Sequence, residues 1–227
     1  MPFTFAHPAA VLPLKKRWSD HFNLTTLVLG SMAPDFEYFV KMRIESKIGH
    51  SFIGFAIFNL PLVIVLSLIF HFVIKNALVL HLPKKVNSLI RCDENLFEKG
   101  IGLSWFIIFI YSAIIGMFSH TFWDSFTHEK GYFVLLIHIL KTRILNIPIY
   151  KFLQHGSTLI GFCFIFKFLY DVRSKVNINW KMVSSRRKLF YWMSVLLGTI
   201  AIVIARLINE DQIFSIKYLG IFIVSSI

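Results

Sequence analysis

Four long apolar stretches constrain the fold of this chain more than any other feature of its sequence. A segment of about 20 mostly apolar residues is enough to cross the hydrocarbon core of a membrane. The four stretches are Ser51–Ile74, Ile101–Ser119, Phe152–Tyr170 and Leu189–Ala205. A further stretch, Ile213–Ile227, is divided by Lys217, so the sequence predicts four to five transmembrane helices.

The composition excludes the soluble, disordered and disulfide-stapled classes of protein. Hydrophobic residues make up 56% of the 227 residues, charged residues make up only 16%, and the mean hydropathy is +0.66. A soluble domain carries about 25% charged residues, and the only cysteines are Cys92 and Cys163. We therefore predict an all-α, polytopic membrane helical bundle that forms one integral membrane domain over residues 1–227. Residues 1–50 are expected to form an interfacial N-terminal segment.

The basic excess, a formal net charge of +12, is expected to contact anionic lipid headgroups rather than nucleic acid. Basic residues are usual beside membrane spans, and no nucleic-acid-binding motif accompanies them here. They divide almost evenly between the two predicted faces, so the positive-inside rule does not orient the chain. Residues 1–13 lack the apolar core and early basic residues of a signal peptide. Nothing in the sequence indicates the oligomeric state.

Prolines and glycines predict the local structure of the less regular segments. Pro8 is expected to open a short helix that Pro13 ends. His21–Val40 is expected to form two helical pieces broken around Gly30–Pro34. Tyr132–Leu140 is apolar but too short to cross a membrane, which favours an interfacial or re-entrant helix.

The strongest local signal for chemistry is the spacing of His120, Asp124 and His128 after the second apolar stretch. Residues four apart on a helix lie on one face, with a drift of about 40° and a rise of about 6 Å per step. His120 and Asp124 can therefore chelate one divalent cation. His128, about 12 Å from His120 along the axis, would serve a second ion or a substrate phosphate. The alternative is a polar helix end at the interface, with Trp123 in the aromatic belt and Gly131 as the stop.

Taken singly, the other candidate residues have ordinary structural explanations. Asp35 and Glu37 follow a proline, which is typical of a helix N-terminus. His50 and His155 stand beside the first and third spans, where a lone histidine is usually an interface residue. His7 lies near the N-terminus, where a histidine is usually solvated.

Together these residues indicate a metal site. They share one predicted face of the membrane, at or near the ends of the first three spans. Imidazole and carboxylate groups are ligands of zinc and other borderline divalent ions, and such groups gathered near a membrane are functional candidates. The set is His7, Asp35, His50, His120, Asp124, His128 and His155.

Several motifs resemble a family of uncharacterised bacterial polytopic membrane proteins. The motifs are MPFTFAHPAAVLP (residues 1–13), GSMAPDFEYF (30–39), HTFWDSFTH (120–128) and LQHGST (153–158). That family is similar to the YdjM-like group of bacterial inner-membrane proteins, which are described as metal-dependent hydrolases. The resemblance implies a multi-pass protein of the bacterial cytoplasmic membrane.

A more distant likeness concerns the order of the polar residues along the chain, which is similar to the ligand order of zinc-dependent phospholipase C. Such enzymes cleave phosphoesters with a helical zinc cluster. The likeness implies that one ion is held by Asp35, His50, His120 and Asp124. It also implies that His7 helps to hold a second ion, bridged by Asp124. The phospholipase pattern ends in a His-x3-Glu pair, whereas His155 is followed by Leu159, so we expect one or two ions rather than three.

These observations lead to the hypothesis of a membrane-bound metal-dependent hydrolase that acts on a lipid-like or membrane-delivered phosphoester. A divalent cation, zinc by its ligand types, would activate the attacking water. Glu37 is a candidate base or a partner that orients a histidine ring, and His128 is a second candidate catalytic group. The candidate metal ligands are His7, Asp35, His50, His120, Asp124 and His155.

Two other classes of function remain open at this point. One is a transporter that uses the same His and Asp residues as an ion pathway, although the spans are nearly free of the polar residues that transport usually needs near the midplane. The other is a non-catalytic membrane protein in which the cluster is structural.

Overall fold

The computed structural model describes residues 3–41, 48–82, 102–173 and 183–209. Within these residues four helical segments are long and apolar enough to cross a membrane, which confirms the all-α polytopic bundle. They are Phe52–His81, Leu103–Leu136, Ile149–Asp171 and Ser185–Ala205. The fifth apolar stretch, Ile213–Ile227, lies outside the described residues, so the question of a fifth span stays open.

The described part of the N-terminal segment, residues 3–41 and 48–50, contains three short helices: α1 (Leu12–Arg17), α2 (Leu24–Met32) and α3 (Phe36–Lys41). The segment also contains three 3-10 turns, at Thr4–Ala10, Ser19–His21 and Ala33–Asp35. The prediction of two helical pieces that are broken around Gly30–Pro34 is therefore confirmed. The prediction for Pro13 is wrong, because Pro13 lies in the first turn of α1 rather than ending a helix. Proline fits that position, since its fixed φ suits a helix and its missing N–H would have no partner there.

The longer helices follow. Helix α4 runs over Phe52–His81 and includes two π-helical turns, Phe55–Asn59 and Phe70–Ile74. The others are α5 (Leu103–Thr127), α6 (Tyr132–Leu136), α7 (Ile149–Arg173) and α8 (Ser185–Asn209). The short helix predicted over Tyr132–Leu140 is present as α6 and a 3-10 turn, His138–Lys141. A two-stranded antiparallel hairpin, β1 (Arg143–Ile144) and β2 (Ile147–Pro148), leads into α7.

Close packing of α2 against α5 forms the centre of the described structure. Glycines allow the backbones to approach: a Cβ atom on Gly30 would lie 2.3 Å from the Ala113 carbonyl oxygen, and one on Gly116 would lie 2.6 Å from the Leu27 carbonyl oxygen. Small residues commonly bring membrane helices together in this way. Beside this contact, Met32, Phe36, Phe55, Val63 and Met117 form a buried apolar cluster.

The beginning of the chain lies along α7. The Phe3 backbone N–H donates to the Thr158 hydroxyl at 3.1 Å, and the Lys16 ammonium pairs with Asp171 at 2.8 Å. Residues 3–17 therefore follow α7 for much of its length, and α2 then returns alongside α5. This path brings Asp35 to the same end of α5 that carries His120 and Asp124.

Candidate metal centre

Helix α5 supplies two of the polar groups at this centre. His120 and Asp124 lie one turn apart and are both buried. The predicted common face is therefore present for this pair, and the His120 Nε2 atom lies 3.3 Å from the Asp124 Oδ2 atom. The helix ends at Thr127, one residue before His128 and earlier than the stop expected at Gly131.

Asp35 reaches the same point from the turn that follows α2. Its side chain is fully buried. The Thr4 hydroxyl donates to one carboxylate oxygen, Oδ2, at 2.6 Å, and the other oxygen, Oδ1, lies 3.5 Å from His120 Nε2. The hydroxyl therefore fixes the orientation of the carboxylate and leaves one oxygen directed toward the imidazole.

His50 comes from the loop before α4, and Glu37 holds that loop in place. The buried Glu37 carboxylate accepts hydrogen bonds from the backbone N–H groups of Ile48 at 3.0 Å and Gly49 at 2.7 Å. The Asn59 amide, in the first π-helical turn of α4, donates to the Gly49 carbonyl at 2.7 Å. These contacts place His50 Nε2 3.6 Å from Asp35 Oδ1 and 3.7 Å from an oxygen of Asp124.

The four side chains converge closely enough to hold a metal ion. One ligand atom from each of Asp35, His50, His120 and Asp124 can be chosen so that all four lie within 4.8 Å of one another. Ligands about 2.0–2.2 Å from a common ion fit inside such a space. The prediction of a metal-binding group from these four residues is therefore supported by the geometry.

Hydrogen bonding at this centre is incomplete, and a cation would complete it. The His120 Nδ1 atom lies 2.8 Å from the Ser31 carbonyl, which only accepts, so Nδ1 donates to it and Nε2 is the ring nitrogen that faces the carboxylates. Among the described residues, His120 Nε2, Asp35 Oδ1 and both carboxylate oxygens of Asp124 are buried without a hydrogen-bond partner. Burying an ionised carboxylate without compensation costs several kcal/mol. A histidine that donates its other N–H to a backbone carbonyl is the usual arrangement of a metal ligand.

The protonation states outside the spanning helices also suit a cation. Burial, assisted by the neighbouring His120, lowers the pKa of His7 to about 3, so its imidazole is neutral at physiological pH. Burial alone would raise the pKa of Asp35, but His120 and the Thr4 hydroxyl hold it below its usual value. Asp35 is therefore an anion and His7 a neutral nitrogen donor, which are the forms that bind divalent ions.

His7 and His128 flank the four-residue group on its other side. His7 is buried, stacks on the His120 ring with a centroid separation of 3.8 Å, and lies 3.5 Å from Asp124 Oδ1. His128 is 32% exposed, and its Nδ1 atom lies 3.5 Å from the same oxygen and 3.0 Å from the Asp124 carbonyl. The two oxygens of Asp124 thus face different partners: His50 and His120 at Oδ2, His7 and His128 at Oδ1.

Two predicted site residues take other positions. The structure does not bring His155 to the group: its side chain is exposed on α7, whereas the adjacent Gln154 is buried. Glu37 is buried, but its described contacts are with the 48–49 backbone and with Lys41. Through these contacts Glu37 positions the loop that carries His50.

Two residues with a part in the centre were missed by sequence reasoning. Thr4 orients Asp35, and its place in the MPFTFAHP motif was the one available signal. Ser31 contributes its backbone carbonyl to His120. Because any residue type supplies a carbonyl, no side-chain pattern could have indicated that contact.

The fold and the site together define a polytopic helical membrane protein with a buried His/Asp group that could hold a metal ion. The chain belongs to a family described as a domain of unknown function, DUF4184, which matches residues 1–226. No curated protein and no solved structure matches the chain. The resemblances to YdjM-like hydrolases and to phospholipase C draw no support from these comparisons.

Proposed function

We propose that the protein is a metal-dependent hydrolase of the membrane, acting on a lipid-like or membrane-delivered phosphoester. The observation that carries the proposal is the convergence of Asp35, His50, His120 and Asp124, which includes buried atoms without a hydrogen-bond partner among the described residues that a cation would satisfy.

The ligand types favour a catalytic site over a structural one. Structural zinc sites are usually built from cysteines, whereas catalytic sites combine histidine and carboxylate ligands and keep a position open to water or substrate. The group contains no cysteine, and one edge of it is accessible because the His50 side chain is 30% exposed. His128, 32% exposed, stands at the Asp124 side of the group.

The proposed reaction is the hydrolysis of a phosphoester bond. A bound divalent cation would lower the pKa of a water molecule and polarise a phosphoryl oxygen. Water adds to phosphorus, the bond to the ester oxygen breaks, and the proton from water ends on the departing alcohol. Asp35, His50, His120 and Asp124 hold the cation, while His128 contacts the substrate at the exposed edge. Glu37 acts through the loop that carries His50.

A second cation belongs to the same proposal. Asp124 Oδ1 faces His7 Nε2 at 3.5 Å, and the other oxygen of Asp124 faces the first group. A carboxylate with separate partners on its two oxygens can bridge two ions, as in two-metal hydrolytic sites where the ions lie about 3.5–4 Å apart. Zinc suits these nitrogen and oxygen ligands, and we propose one or two such ions.

The location of the centre supports a substrate that arrives from the membrane. His50 lies just before α4, His120 and Asp124 lie within the last eight residues of α5, and Asp35 reaches them from the turn after α2. The motif resemblance to bacterial inner-membrane proteins leads us to propose the bacterial cytoplasmic membrane as the location.

The test is hydrolysis by the purified full chain in detergent, with a panel of phosphoesters and acyl esters. We expect phosphoester hydrolysis that a chelator abolishes and added zinc restores. Asp35→Asn should lower kcat/KM by at least about 100-fold, since losing even an outer partner of a metal ligand costs about 10- to 100-fold. Asp20→Asn is the matched control, because Asp20 is exposed on the 3-10 turn Ser19–His21, and it should leave the rate unchanged.

Two other outcomes would count against the proposal. Hydrolysis that neither chelator nor Asp35→Asn affects would exclude this centre as the site of the reaction. Stoichiometric metal without hydrolysis of any ester would instead indicate a structural metal site.

A further inference from the structure

A groove with mostly apolar walls runs beside the candidate metal centre. It lies between the 3-10 turn Thr4–Ala10 and the first half of α7, with Trp123 of α5 at one side, and it encloses about 370 Å³. His7 forms part of its wall. The groove is therefore adjacent to the centre, because His7 is shared by both: its side chain is 2% exposed and its Nε2 atom lies 3.5 Å from Asp124 Oδ1.

Small residues create the groove. Ala6 and Ala9 line it from the N-terminal turn, and Gly156 and Gly161 line it from α7. A Cβ atom on Gly161 would lie 3.1 Å from the Ala6 carbonyl oxygen, so the turn rests closely on the helix there. A Cβ atom on Gly156 would meet nothing within 4 Å, so the space over Gly156 is open.

The remaining walls suit a hydrocarbon. Phe152, Ile160 and Phe164 project from α7 and are exposed in the part of the helix that is apolar enough to lie in a membrane. The polar side chains in the wall are His7 and Ser157. The Ser157 hydroxyl donates to the Gln154 carbonyl at 3.1 Å, so its proton is used within the helix.

We propose that this groove binds one hydrocarbon chain of the substrate, whose phosphoester then lies at His7 and the metal centre. The inference rests on the proposed function and deepens it, since it makes the substrate an amphiphile with at least one alkyl or acyl chain. Because His7 belongs to both the groove and the centre, a chain bound in the groove would bring its polar head beside the centre, and the apolar walls extend from there along α7.

A hydrocarbon subsite has a measurable consequence for affinity. Each methylene transferred from water into an apolar site strengthens binding by about fourfold, from about 0.8 kcal/mol per CH₂. KM for phosphoesters with the same head, expressed as the concentration of substrate dissolved as monomer in water, should therefore fall stepwise as the chain lengthens, and then level off when the groove is full. kcat should change little, because the chain lies away from the reacting phosphorus.

The test compares two leucine substitutions of helical glycines. Gly156→Leu fills the groove, since Gly156 faces open space on its wall. Gly198→Leu is the matched control, because Gly198 of α8 also has nothing within 4 Å of a Cβ position and does not line the groove. Gly156→Leu should raise KM for a long-chain phosphoester at least tenfold and leave a short water-soluble phosphoester with the same head unaffected. Gly198→Leu should change neither, and metal content should be equal in both variants.

A photocrosslinking measurement separates this inference from the proposed function, because it needs no turnover. The probe is a long-chain alkyl phosphate with a diazirine in the chain, and its control lacks the phosphate. The expected result is that the phosphate probe labels α7, that Gly156→Leu removes this labelling and that Gly198→Leu retains it. This result would support the groove even if no ester is hydrolysed. Equal labelling in the two variants would overturn the inference. Equal labelling by the probe without phosphate would also overturn it, since the groove would then hold an ordinary bilayer chain.

Discussion

Helices α5 and α8 contain 25 residues each, but they differ in what surrounds them. About a third of the most apolar stretch of the α5 span is buried, whereas none of the corresponding stretch of α8 is buried. Helix α5 packs on α2 and carries His120 and Asp124. At the start of α8, Lys188 and Trp192 donate hydrogen bonds to the Leu82 and His81 carbonyls at the end of α4.

The difference shows that hydropathy identifies a span without identifying its role. Ser112 of α5 is buried and accepts a hydrogen bond from the Asn23 backbone N–H, whereas Ser194 of α8 is exposed and bonds within its own helix. The position of glycine differs in the same way, since Gly116 is in tight contact and Gly198 is in open space. Matched substitutions in the two helices can therefore measure what the packed environment contributes.

The largest expected effect is a loss of zinc affinity when a ligand candidate on α5 is substituted. Asp124→Asn should weaken zinc binding by at least about 100-fold, because both oxygens of Asp124 face imidazoles and the amide carries no charge. Competition with a chromophoric chelator measures the affinity. Asp171→Asn, which removes a carboxylate paired with Lys16 away from the centre, should leave zinc affinity unchanged. Equal affinity in the Asp124→Asn protein would remove Asp124 from the ligands.

The next effect is on stability. Gly116→Ala should lower the free energy of unfolding by about 1–3 kcal/mol, as overpacking does, because the new Cβ atom would lie 2.6 Å from the Leu27 oxygen and the Ser31 nitrogen. Gly198→Ala in α8 should be neutral or stabilising by about 0.5–1 kcal/mol, because alanine is the better helix former. Denaturant titration in detergent compares the two. Equal stability of the two variants would mean that α2 and α5 do not pack this closely.

A third effect, no larger than the second, concerns a single hydrogen bond. Ser112→Ala leaves the backbone N–H of Asn23 without the hydroxyl that accepts from it at 3.0 Å, which should cost about 1–3 kcal/mol for a buried donor. Ser194→Ala removes an exposed hydroxyl that donates to the Phe190 carbonyl of its own helix, and should change stability by less than about 0.5 kcal/mol. The same titration measures both, and a loss in α8 as large as that in α5 would contradict the comparison.

Much of the fold follows from the sequence because membrane spans depend on local composition. The predicted spans coincide with the four apolar helices, although α4 extends seven residues past Ile74 to His81. The apolar pattern fades near the end of that helix, but hydrogen bonding continues through Lys75–His81. Pro13 was misjudged because proline both ends helices and begins them, and only the neighbouring backbone decides which.

The metal-binding group was predictable in part. His120 and Asp124 share a helix face through their spacing, and Asp35 and His50 joined them because the predicted spans place all four on one side. His155 fulfilled the same condition but is exposed, since a shared membrane face does not fix the direction of a side chain around its helix. The link from Glu37 of α3 to the loop before His50 joins residues 11 and 12 positions apart and ends in irregular structure, so no periodicity indicates it.

The central claim is that Asp35, His50, His120 and Asp124 share one divalent cation. Anomalous X-ray diffraction from crystals of the zinc-loaded full chain, collected on both sides of the zinc absorption edge, tests it most directly. We expect a zinc peak about 2.0–2.2 Å from the Nε2 atoms of His50 and His120 and from an oxygen of each aspartate. A peak bound by other residues, or no peak among these four in crystals soaked with excess zinc, would contradict the account.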